Sequence, residues 1–248
     1  MSEQSPLSLG TEDIKKLLMR YAVPAIVAMT AASLYNMMDS IFIGHGVGAL
    51  GIAGLAVTFP FINLAAAFGS LVGVGASTLV SVKMGQKDLK SAEAVLGNVL
   101  LLNTVIGFLF MTVCLIFLDP ILYFFGASAD TLPYARDYMK VILYGNLITH
   151  IYMGLNEVMR ASGYPQRAMM ATLFAVLING VLNALFIFVL DMGIKGAALG
   201  TICAQFLALL GVLYHFPARK VLFVFKKEFS RSDGILSEEC WPSGCRLS

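Results

Sequence analysis

Apolar residues run along this chain in six long blocks separated by short polar or charged gaps, near residues 17–43, 52–82, 93–118, 136–158, 168–190 and 196–215. A helix needs roughly 20 such residues to cross about 30 Å of hydrocarbon, and each block meets that length. Inside the blocks apolar and polar positions do not alternate, which removes the period expected of barrel strands. Backbone groups cannot stay unpaired in lipid, so the pattern predicts an all-α polytopic membrane protein with six transmembrane helices.

Composition agrees: of 248 residues 58% are hydrophobic and 13% charged, and the mean hydropathy is +0.80, well outside the balance of a soluble domain. The net charge of +2 matters less than its placement. Lys and Arg collect in "TEDIKKLLMR", "VKMGQKDLK", "MRASGYPQR" and "PARKVLFVFKK", whereas "GHGVGALG", "LDPILYFFGASAD" and "LDMGIKG" together hold one Lys. Every second gap is basic, so both termini are expected in the cytoplasm of a multi-pass protein of the cell's inner membrane. The polar lead, residues 1–13, is no signal peptide, and the run after it is too long for an h-region, so the first span should remain as a helix. Residues 14–218 then hold the six spans, 219–233 form a basic cytoplasmic linker, and 234–248 read as an atypical tail. No charged tail points to a nucleic-acid partner.

Cysteine and histidine usage suggests no metal or disulfide framework. Cys114 and Cys203 fall inside spans and Cys240 and Cys245 in the tail, while His45 and His150 are isolated and read as interfacial or packed residues. Gly69 and Gly73, four apart in the second span, predict close helix packing. Pro24 lies inside the first span and should bend it, because its ring removes a backbone hydrogen bond. Glu157 and Arg160 stand at i, i+3 near the end of span four and read as an interfacial ion pair. No span carries a His/Asp/Glu cluster or a Ser/Lys pair at catalytic spacing, so an enzyme is not expected.

The candidate chemistry centres on Asp39 in "SLYNMMDSIFIGHG". A carboxylate at mid-membrane depth costs about 2.5 to 3.5 kcal/mol to insert, so it persists where it faces a cavity, a partner or a translocation path. Tyr35 and Asn36 lie one turn before it and mark a polar face. Span five carries Asn179 and Asn183 at i, i+4, and span six carries Thr201 and Gln205 at the same interval. Asp39, Asn179, Asn183 and Thr201 thus offer oxygen donors from three helices around one carboxylate, a set that suits a small cation, and the carboxylate could carry a proton instead.

The strings "YNMMDSIFIG", "GVGASTLVSVKMGQKDLKSAEAVLGN" and "MRASGYPQRAMMATLFAVLINGVLNALFIFVLDMGIKGAALGT" resemble the first half of a multidrug and toxic compound extrusion (MATE) transporter, in the order that family uses. The resemblance implies a six-helix N-terminal lobe of a twelve-helix transporter, facing a second six-helix lobe across a central cavity. It implies export of bulky, often cationic organic compounds in exchange for Na+ or H+, with no other cofactor. By this likeness Asp39 is the lobe's first-helix carboxylate, Pro24 the bend, and Asn179 and Thr201 further members of the cation site. Asn183 departs from the family, where many members carry Asp; the site is less negative for it, and both coupling ions stay open. Two alternatives are a non-transporting scaffold lobe that needs a partner lobe and a lipid-linked precursor flippase. The second is disfavoured because Lys and Arg are nearly confined to the gaps, away from any pyrophosphate in a cavity.

The tail "SDGILSEECWPSGCRLS" loses apolar periodicity where the family's linker would lead to a seventh helix. Shifting the reading frame of Glu239 to Ser248 by one nucleotide can yield "GMLAVGMSPF", an apolar continuation. The expectation is a truncated or frameshifted N-terminal lobe, in which Cys240, Trp241 and Cys245 have no selected role.

Overall fold

The computed structural model describes residues 13–86 and 88–215; the linker 219–233, the tail 234–248 with Cys240 and Cys245, and most of the polar lead lie outside the described residues. Among the described residues seven α-helices follow one another: α1 (Ile14–Gly46), α2 (Ala49–Gly85), α3 (Leu89–Ile116), a short α4 (Leu118–Phe124), α5 (Leu132–Ala161), α6 (Pro165–Ala184) and α7 (Gly193–His215). A π-helical turn, Leu185–Val189, extends α6 without a break. No strand occurs among the described residues.

Local sequence explains the ends. Asp88 caps α3 by accepting from the Ser91 backbone N–H at 3.1 Å, and Pro165 opens α6 where a missing N–H costs nothing. The α5–α6 turn passes through Gly163 at φ 92°, a conformation that a Cβ would strain.

Among the described residues five helices are long and apolar enough to cross a membrane: α1 from Leu18, α2, α3 from Ala94, α6 with its π turn, and α7 to Tyr214. The fourth long block of the sequence, α5, has 30 residues but is more polar. Its position supplies the reason. It packs against α2, α3, α6 and α7, burying Asn146, His150 and Asn156, so protein rather than hydrocarbon covers most of its surface. The periphery shows the opposite: Ile116, Phe124 and Val189 are 69%, 84% and 71% exposed, as expected of side chains turned toward lipid.

The close packing predicted at Gly69 and Gly73 is present, and it forms a three-helix seam. A Cβ at Gly69 would lie 3.4 Å from the His150 ring, and one at Gly73 would lie 3.1 Å from the Gly154 Cα. From the other side Gly107 of α3 faces His150, while Asn103 fills the space beside Gly154. Among the described residues neither the Asn103 amide nor the His150 ring finds a hydrogen bond of normal geometry, although the Ala65 carbonyl lies near the ring.

On the flank of this unit α1 packs mainly on α6 and runs unbroken through Pro24. Buried side chains in α1 begin at Pro24 and continue with Ala28 and Ala31; none of those described in 14–23 is buried.

Candidate functional site

Four side chains from three helices close into a ring. Asp39 of α1 is 4% exposed; its Oδ1 accepts from Asn183 Nδ2 at 2.5 Å and its Oδ2 from Thr201 Oγ1 at 3.4 Å. Asn183 Nδ2 also donates to Asn179 Oδ1 at 3.2 Å, and Asn179 Nδ2 donates to Thr201 Oγ1 at 3.3 Å, which completes the circuit. All four groups are buried.

Helix geometry and small residues bring them together. The i, i+4 spacing stacks Asn179 and Asn183 on one side of α6. A Cβ at Gly180 would meet the Met38 methyl at 2.5 Å, so glycine lets α1 close on α6. A Cβ at Gly200 would meet Asn183 Oδ1 at 2.4 Å, so glycine lets α7 close on the same asparagine. Two oxygens at the ring, Asn183 Oδ1 and the Tyr35 hydroxyl, are buried without a hydrogen bond of normal geometry among the described residues. Of the ion pairs among the described residues, none involves Asp39.

The other sequence candidates fall around the ring rather than in it. Asn36 lines the adjoining cavity, but its Nδ2 donates back to the Ala32 carbonyl at 3.2 Å. Gln205 also lines the cavity, and its Oε1 accepts from Thr149 Oγ1 of α5 at 2.5 Å. Pro24 stands fifteen residues before Asp39, about 22 Å along the helix at 1.5 Å per residue.

The cavity holds about 440 Å³ and is lined by Tyr35, Asp39 and Tyr138 at one end and by Glu157 and Arg160 at the other. Tyr138, which sits beside Asp39, was not singled out from the sequence. Nor was the reach of the cavity to Glu157 and Arg160, whose predicted ion pair is present at 3.5 Å. Among the described residues no three His, Cys, Asp or Glu side chains converge on a metal position. A cation at the ring would meet one carboxylate and neutral oxygens, a hard donor set.

The family model MatE matches residues 24–185. Among curated relatives, the multidrug export protein MepA of Staphylococcus haemolyticus (strain JCSC1435) is 27% identical over 244 residues, covering 98% of this chain and 54% of its own length. Among solved structures, a MOP superfamily transporter from Pyrococcus furiosus is 27% identical with a TM-score of 0.79, covering 89% of this chain and 48% of that one. A MATE solved in a bent conformation is 28% identical with a TM-score of 0.78, covering 86% of this chain and 47% of that one. The chain spans about half the length of the curated relatives it matches.

Proposed function

Because the chain belongs to the MatE family, we propose that it is the N-terminal lobe of a multidrug efflux transporter and that Asp39 carries the ion whose movement drives export. The observation that carries this reading is the ring. Its carboxylate accepts from two neutral donors, has no cationic partner among the described residues, and lies beside an Asn183 oxygen without a donor. An ionised Asp at this depth is costly when unneutralised, and a cation or a proton removes that cost.

The two ions make different demands on the ring. Na+ would take the Asp39 carboxylate with the oxygens of Asn179, Asn183 and Thr201, turning the amides from mutual bonding toward the ion. A proton on Asp39 would convert one carboxylate oxygen into a donor, for which Asn183 Oδ1 is the available acceptor. Either event breaks the circuit joining α1, α6 and α7, and this links ion occupancy to helix position. Pro24 supplies a place for α1 to bend in response.

The substrates on this reading are small organic compounds, often cationic, and the volume of about 440 Å³ is of drug size. Alternating access requires the second six-helix lobe, since the site opens between two lobes that rock against each other. Residues 14–218 are assigned to the lobe, with both termini at the cytoplasmic side of the inner membrane. The coupled process is antiport.

The test is reconstitution into lipid vesicles together with a second six-helix lobe, with efflux of a fluorescent organic cation followed under an imposed Na+ or pH gradient. Asp39→Asn abolishes the gradient dependence; unchanged gradient-driven transport by that variant would remove Asp39 from the mechanism. The second reading is a non-transporting scaffold lobe that needs a partner lobe. It predicts no gradient-driven efflux by either form even with the second lobe present.

A further inference from the structure

Only three charged side chains line the cavity among the described residues: Asp39, Glu157 and Arg160. The last two face each other at 3.5 Å, and each is 28% exposed, so they stand on the cavity wall rather than in the core or out in solvent.

Arg160 is held twice. Its second terminal nitrogen donates to Asn156 Oδ1 at 3.3 Å, and Asn156 is itself fixed by donating to the Ala168 carbonyl of α6 at 3.2 Å. Arg160 therefore keeps an anchor when Glu157 changes partner. Glu157 has no such second bond among the described residues; its stem packs against Gly73 of α2, where an added Cβ would lie 3.2 Å from the Glu157 Cβ.

Distance separates this pair from the ring. Tyr138 lies beside Asp39 and Glu157 is nineteen residues further along α5, about 28 Å at 1.5 Å per residue. A drug-sized cation at one end of the cavity does not reach a carboxylate at the other. The wall near Glu157 includes Tyr152, Met153 and Val176, apolar and polarisable surface suited to an organic cation.

We propose that Glu157 is a specificity-determining carboxylate for organic cations, and that Arg160 is a tethered cation that the substrate displaces from it. The proposal rests on the transport reading above and adds to it a division of labour. Asp39 handles the driving ion, while Glu157 selects the cargo at the end of the cavity bordered by the basic gap "MRASGYPQR". Displacement leaves Arg160 on Asn156, so this end of an empty cavity carries no unpaired carboxylate and an occupied one strands only an arginine that keeps a hydrogen bond.

Binding of tetraphenylphosphonium and of neutral triphenylphosphine oxide to the purified full chain in lipid nanodiscs tests this. Glu157→Gln weakens the cation on the order of tenfold and leaves the neutral probe unchanged. Arg160→Gln tightens the cation several-fold, because its internal competitor is gone, and the double variant binds like Glu157→Gln alone. Glu157→Asp keeps the charge and retains most of the affinity, which separates loss of charge from loss of fold. Two outcomes overturn the proposal alone: wild-type binding that neither single variant changes, or an Arg160→Gln loss matching that of Glu157→Gln. A wild-type chain that binds neither probe overturns the cavity reading itself, and this one with it.

Discussion

Gly200→Ala isolates the ring without altering any of its members. The added methyl would lie 2.4 Å from Asn183 Oδ1, 3.3 Å from the Asn183 backbone nitrogen and 3.4 Å from its Cγ. An ordinary contact needs about 1 Å more at the oxygen, and the nearby backbone leaves the amide as the part that moves. A shift of that size draws Nδ2 away from both Asp39 and Asn179. Overpacking costs about 1 to 3 kcal/mol and the lost bond to a charged acceptor about 1.5 to 3 kcal/mol, while alanine returns up to about 1 kcal/mol of helix propensity. These overlap, leaving a net loss of about 2 to 4 kcal/mol. Gly211 lies on the same helix with nothing within 4 Å of its Cβ position, so Gly211→Ala is the control and is neutral or slightly stabilising. The assay is the fraction of monodisperse protein surviving heating in detergent, with and without Na+. Gly200→Ala melts lower than wild type and is less destabilising in an Asp39→Asn background, where one side of the circuit is already changed. If Gly200→Ala melts with Gly211→Ala at or above wild type, the ring does not hold these helices together.

Further outcomes follow from the seam and the cavity wall. Asn103→Leu removes a buried amide with no hydrogen-bond partner among the described residues and raises stability by about 1 to 3 kcal/mol in the same heating assay. Gly154→Ala places a methyl 2.2 Å from Asn103 Nδ2 and lowers it by about 1 to 3 kcal/mol, an effect that Asn103→Ala relieves in the double variant. Thr149→Val strips Gln205 Oε1 of its donor and costs about 0.5 to 1.5 kcal/mol, measured against Thr149→Ser, which keeps the hydroxyl.

The ring was legible in the sequence because membrane spans hold few polar groups and each of these fell at a helical interval: Asn179 with Asn183, and Thr201 on a neighbouring apolar helix. Gln205 shares that interval with Thr201, yet it turns to Thr149 instead; sequence spacing fixes a face but not the helix opposite it. Tyr138 and the position of Glu157 were hidden for a related reason. The helix carrying them, α5, is covered by protein on several sides, so it lacks the single apolar stripe from which orientation is read. The π turn after α6 left no trace either, because "LFIFV" is uniformly apolar and its register is set by what packs on it. One such contact is visible: a Cβ at Gly46 of α1 would fall 2.1 Å from Ile187.

Mechanically, α1 is packed unevenly along its length. Its stretch 14–23 contributes no buried side chain among those described, and its packed length begins at Pro24. That junction coincides with the residue whose ring deletes a backbone hydrogen bond and so reduces stiffness. A 10° flexure there swings Ile14, ten residues and about 15 Å away, through roughly 2.6 Å. Compliance is thus concentrated at Pro24, where the stretch without buried side chains meets the packed one, while the packed length that includes Asp39 stays comparatively stiff.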